Sequence, residues 1–191
     1  MARSPDELIL EAIVTTESEN GSMHVAPMGP QVSQSMDRWL LKPFQTSTTF
    51  RNLRRNNRCI VHVVDDALLI AQAVLGKANS LPATSIPGTG FVLDDACQWF
   101  ALMVNDWDIS QPRALAKCHV VENQVSRPFF GWNRAKHAIV ELAILASRVG
   151  MLDASIMQNE IDRLKIMIEK TGGQREFEAF ELLSHYIRSE S

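Results

Sequence analysis

Lys42–Asp66 reads KPFQTSTTFRNLRRNNRCIVHVVDD. It divides into a strand end, a hydroxyl-rich turn, a short basic helix from Thr48 to Asn56, and an apolar strand closing on two aspartates. Thr46, Ser47, Thr48 and Thr49 place four hydroxyls just ahead of Arg51, Asn52, Arg54 and Arg55. Hydroxyls at a helix start accept hydrogen bonds from backbone N–H groups that lack a partner in the helix. The same N–H groups, the positive end of the helix dipole and nearby arginines attract a phosphate. Two readings stand side by side: a phosphate cradle, and a well-capped surface helix whose arginines are solvated.

Upstream, Leu8–Thr16 (LILEAIVTT) and Ser22–Met28 pair as a hairpin across a polar turn that contains Gly21. Pro27 removes a ladder donor, so its strand should meet an edge, a bulge or a ligand there. Met36–Lys42 reads as a third strand. Downstream, Arg58–Val64 is a strand buried on both sides apart from His62, and Asp65 and Asp66 lead into the helix ALLIAQAVLG, with Gly76 past its end. Residues 77–90 are a loop by composition, either functional or a plain exposed connection. Trp99–Trp107 and Arg113–Glu122 form an antiparallel pair. In the second strand Ala114, Ala116, Cys118 and Val120 point one way, and Leu115, Lys117, His119 and Val121 the other. Short strands with frequent turn signals point to a closed or nearly closed barrel with two inserted helices.

After Gly131 the period changes. Asn133–Gly150 carries apolar residues on one helical face, with Asn133 as its cap. Asp153 starts a second helix with Met157, Ile161, Leu164 and Ile168 inward. A third, from about Gln174 to Arg188, turns Phe177, Phe180, Leu183 and Ile187 inward. The organisation is thus a mainly β domain over 1–127 and a helical subdomain over 128–191 packed on it.

The chain has 191 residues and a net charge of −3, which gives no nucleic-acid or membrane-surface footprint. No apolar run is long enough to span a bilayer. In MARSPDELILEAIV, Asp6 and Glu7 precede the hydrophobic residues, unlike a secretory leader. Cys59, Cys97 and Cys118 are odd in number and far apart, as reduced core thiols of a cytoplasmic protein would be. His62, Asp65 and Asp66 are weighed as a metal site, but Asp66 is better explained as a helix cap, so no metal is expected. His24 alternates with Met23 and Val25 and shares a side with Ala26, leaving room for a flat ring. The alternative is a histidine on a solvent face. Arg134, His137, Glu141 and Arg148 form either a solvated stripe or a contact with another subunit.

HVAPMGP, then PFQTSTTFRNLRR, then RCIVHVVDD together resemble the FMN-binding split-barrel superfamily. The closer resemblance, which adds GWNRAKHAIVELAILASR, is to a flavin-binding family of unknown function within it. The resemblance implies a split β-barrel plus a C-terminal helical subdomain, and a homodimer with FMN at the subunit interface. It implies flavin contacts at His24, Val25, Ala26, Pro27 and Met28, and phosphate contacts at Thr46, Ser47, Thr48, Thr49 and Asn52. His24 stands where flavin reductases often carry asparagine, which argues against free-flavin reduction by a nicotinamide cofactor. The implied role is an FMN-dependent oxidoreductase, associated with tetrahydromethanopterin-linked one-carbon metabolism. The alternatives are a flavin-binding or storage protein without turnover, and a barrel binding another phosphorylated metabolite.

Overall fold

A computed structural model describes residues 7–190; Asp6, used above against a secretory leader, lies outside them. In chain order the elements are β1 Glu7–Ile9, β2 Ala12–Glu17, β3 Met23–Met28, β4 Gln31–Ser33, β5 Arg38–Leu41, α1 Thr48–Asn56, β6 Arg58–Val63 and α2 Ala67–Val74. There follow β7 Ala83–Ile86, β8 Gly90–Leu93, β9 Gln98–Asp108, β10 Leu115–Val125, α3 Arg134–Ala146, α4 Ala154–Thr171 and α5 Gln174–Glu190. The chain forms two compact units. One runs to Val64 and resumes over Asn79–Pro128; the other joins Asp65–Ala78 to the segment from Phe129 onward. Helix α2, which lies inside the 1–127 stretch, therefore groups with the C-terminal helices.

The first unit is an antiparallel eight-stranded sheet in the order β1-β4-β5-β10-β9-β6-β2-β3. It curls into a half-barrel, because residues from strands far apart in that order share one core. Ala12 and Val14 of β2, Val32 of β4 and Trp39 of β5 pack with Phe100, Leu102 and Ala116. Trp39 and Phe100 place their ring centroids 4.9 Å apart. Leu53 brings α1 into the same core. The opposite face of β6 and β9 carries Ile60, Trp99 and Ala101, and Val92 of β8 packs on it. Strand β6 is thus buried on both faces, as its near-continuous apolar run implies.

Several expectations are corrected. Leu8–Thr16 is two strands: β1 pairs with β4, and β2 pairs with both β3 and β6. Residues 77–90 are not a plain loop, because β7 and β8 form a hairpin within and just beyond them. Its turn is Pro87–Gly88, with Gly88 at φ 76° and the Thr89 N–H donating to the Ile86 carbonyl at 3.0 Å. That is a type II turn, in which proline and glycine each take the position they favour. His62 is not the exposed exception in β6 but is fully buried. Pro27 does lie on an edge strand, β3. The Val25 N–H, two residues earlier and of the same parity, points away from β2 and donates to Asn79 Oδ1 at 2.7 Å. A proline at the same parity therefore costs the ladder nothing.

The second unit is a helical cluster. Ala135, Ala138, Ile139 and Leu142 of α3 pack with the inward residues of α4 and with Ala67, Leu68 and Ala71 of α2. Asn133 caps α3 by accepting from the Ala135 and Lys136 N–H groups. Asp153 stands at the N-cap of α4 but makes no side-chain capping bond. In α5, Phe177 is exposed, and Glu176 is buried in its place. Glu176 accepts from Lys136 Nζ and from the Gly173 N–H, both at 2.9 Å. Burial pushes its carboxyl up, but Lys136 and the Gly173 amide outweigh this and hold it below the usual range. Asp66 caps α2 through the Leu68 N–H and pairs with Arg175.

Candidate functional site

The turn before α1 is built from local hydrogen bonds. Ser47 is the N-cap: its Oγ accepts from the Phe50 N–H at 3.1 Å and donates to the Phe44 carbonyl at 2.7 Å. Arg51 folds back, donating to the Thr46 carbonyl and to Thr48 Oγ1, each at 2.9 Å. A guanidinium is thereby pinned against the helix start, where the macrodipole is already positive. No acidic residue occupies the first turn. Both features favour an anion there.

Strand β3 meets this turn through β2. Thr16 pairs with His24 across the ladder, and Asn52 Nδ2 donates to Thr16 Oγ1 at 3.0 Å. His24 is held below its usual pKa, first by burial and then by the Arg51 charge, so its ring is neutral at neutral pH. The two segments singled out from the sequence, twenty residues apart, therefore lie side by side.

The ten expected residues divide by environment. Thr46, Ser47 and Thr48 surround the turn, and His24, Ala26, Pro27 and Met28 are at least partly accessible along the β3 edge. Val25, Thr49 and Asn52 face inward, each less than 5 % exposed. Asn52 ties the helix to β2, and the Val25 N–H is already taken by Asn79.

His62 has a structural task. Its Nδ1 lies 3.1 Å from the Ile13 carbonyl, and its Nε2 accepts from the Leu93 N–H at 3.1 Å. Only the Nδ1–H tautomer satisfies both contacts. Burial lowers its pKa to about 4. Among the described residues, no group of three or more His, Cys, Asp or Glu side chains could hold a metal. Cys59 and Cys118 are raised by burial, Cys118 to about 12, and are inert as nucleophiles.

A cavity of about 560 Å³ opens by the carboxyl end of α1. Arg55, Asn56 and Arg58 form one wall, and the β7–β8 turn, Ile86–Gly90, forms another. Reading 77–90 as a loop hid this wall. The Pro-Gly pair between two β-prone runs was the signal that could have revealed it.

The curled sheet with a polar-turned helix on its concave side defines the first unit as a split β-barrel. The chain belongs to the family described as "Protein of unknown function (DUF447)": its N-terminal-domain model matches residues 10–127, and a companion model matches residues 133–185. An FMN-bound protein of Methanosarcina mazei, assigned to the same family, has a similar structure at 20 % identity and a TM-score of 0.79. That match covers 93 % of this chain and 94 % of the other. The flavin reductase HpaC, solved with NADP+, aligns at 13 % identity and a TM-score of 0.54, over 64 % of this chain and 81 % of its own. A Haemophilus somnus protein described as a "putative flavin reductase" aligns at 16 % identity and a TM-score of 0.52, over 62 % and 81 %. At these identities the likeness is one of fold. No curated protein matches the chain. No helix among the described residues is long and apolar enough to cross a membrane.

Proposed function

We propose that this chain is a cytoplasmic FMN-binding flavoprotein, acting as an FMN-dependent oxidoreductase and assembling as a homodimer with flavin at the subunit interface. The observation that carries this reading is the link from α1 through β2 to β3: Asn52 donates to Thr16, and Thr16 stands opposite His24 in the ladder, which brings the hydroxyl-turn helix and the β3 edge together. The Thr46–Thr48 turn and Arg51 would hold the phosphate. The side of β3 with His24, Ala26 and Met28 would face the isoalloxazine. Bound FMN would supply the hydride or electron chemistry, while the protein orients it and sets its surroundings. A neutral His24 places a hydrogen-bonding ring beside the flavin without adding charge. Phe130 and Trp132, 73 % and 101 % exposed, support a second copy, because large aromatics gather at interfaces. The FMN-bound family member adds weight to the choice of cofactor. Tetrahydromethanopterin-linked one-carbon metabolism is the pathway we propose, on the family resemblance alone.

The visible spectrum of purified protein tests the reading. Bound FMN gives a flavin absorbance band, and denaturation releases the free cofactor. Colourless protein that takes up no added FMN overturns it. Stopped-flow reduction of the loaded protein then separates an oxidoreductase from a flavin store.

A further inference from the structure

We propose that the cleft between the carboxyl end of α1 and the β7–β8 turn is a second binding site, for a small phosphorylated, hydroxyl-bearing metabolite. None of its lining residues is among the ten expected flavin contacts. Its volume of about 560 Å³ falls within the range of small-molecule pockets. Its donors suit an oxyanion. Arg55 commits two N–H groups, to the Glu17 carbonyl at 2.5 Å and to Asn56 Oδ1 at 3.3 Å. Arg58 commits one, to the Gly88 carbonyl. A guanidinium has five N–H donors, so both keep a fork free for phosphate oxygens.

The opposite wall is shaped for a close approach. Gly88 and Gly90 have φ of 76° and 139°, conformations that side chains resist. A Cβ on Gly90 would meet Ile60 only in ordinary contact at 3.4 Å, so it is the backbone conformation that favours glycine there. The bond from Arg58 to Gly88 fixes this turn opposite α1, so the cleft is preformed. Ser85 and Thr89 add hydroxyls, and Glu17 lines the cleft with the one carboxylate. That carboxylate is an acceptor for a ligand hydroxyl, which is why a bare anion is not the expected occupant. The carboxyl end of α1 opposes an anion through its dipole. That effect is a partial charge confined to the last turn, against two full guanidinium charges.

Thr16 lines this cleft and also accepts from Asn52 in the middle of α1. The inference does not depend on flavin being present.

The test is titration calorimetry of the whole chain with ribose 5-phosphate and with inorganic pyrophosphate. Saturable binding of ribose 5-phosphate at one site per chain is expected, with pyrophosphate weaker. Arg58→Ala and Arg55→Gln should each weaken binding at least tenfold. Arg163→Ala, which removes a surface pair with Glu160 on α4, should change nothing. Arg55→Gln leaves the Arg58–Gly88 contact in place, so it reads the charge even if Arg58→Ala unfolds. No saturable binding, or an unchanged constant in Arg55→Gln, overturns the proposal. So does one-for-one displacement of ribose 5-phosphate by FMN. Flavin is followed separately by its absorbance: colourless protein that binds ribose 5-phosphate removes the flavin reading and keeps this one. Yellow protein that binds neither probe does the reverse.

Discussion

Two covers lie on opposite faces of the same strands. Helix α1 covers the concave face with Leu53 in the core and Asn52 bonded to Thr16. The β7–β8 hairpin covers the other face with Val92 against Ile60 and Trp99, and it is tied down by His62. The helix keeps its polar groups at an open rim, where Arg51 donates to the Thr46 carbonyl and to Thr48. The hairpin closes its polar group completely, with both ring nitrogens of His62 spent on backbone. A polar group at a rim can serve a ligand, whereas one sealed in a core serves only the fold. Loss of the first should leave a stable protein that binds less; loss of the second should unfold it.

The largest expected effect is His62→Ala. It leaves the Ile13 carbonyl and the Leu93 N–H without their partner and opens a cavity, so unfolding free energy should drop by about 3–4 kcal/mol. Urea denaturation measures this, and a loss under about 1 kcal/mol would mean the hairpin is not held as described. Next is acid. Folded His62 takes a proton only near pH 4, while the unfolded chain takes it near 6.5. Its contribution is therefore intact above pH 6.5, is lost as pH falls toward 4, and totals about 3 kcal/mol. His62→Gln should remove that part of the pH slope, and a slope identical in both proteins would break the contrast.

Asn52→Ala stands between the two covers. Its amide is buried within α1, one turn past the hydroxyl turn, so a stability loss of about 1–2 kcal/mol should come with weaker FMN binding if the phosphate sits at that turn. In Thr16→Val the same bond is lost, and the double variant should cost little more than either single change.

The helical cover was legible because its signals are local. Four hydroxyls, a basic run and an apolar strand sit within 25 residues, and α1 begins and ends where the capping pattern places it. Asn133 as a cap and the apolar face of α3 were legible for the same reason. The hairpin cover was not. Its residues are short, and their apolar partners on β6 and β9 are distant in sequence. His62 misled because a lone polar residue in an otherwise apolar strand is normally the exposed one, and only the hairpin makes its position interior. Phe177 misled in the opposite way: Glu176 takes the buried place because Lys136, forty residues earlier, meets it there. Arg58 looked like the start of a strand, and its role in the cleft depends on Gly88, thirty residues on.

The smallest effect is also the most selective. Ser47 and Thr48 look equivalent in sequence, but Ser47 is spent on the cap, while Thr48 only receives Arg51. Ser47→Ala should cost about 1 kcal/mol of stability whatever binds at the turn. Thr48→Ala should cost no more than about 0.5 kcal/mol, because no buried group loses its partner. If the phosphate sits at this turn, Thr48→Ala should nevertheless weaken FMN binding about tenfold, the size of one charge-assisted hydrogen bond. Fluorescence titration of the apoprotein separates the two outcomes. Equal FMN affinity in Thr48→Ala and the parent would place the phosphate elsewhere and reduce the rim to a capped helix with solvated arginines.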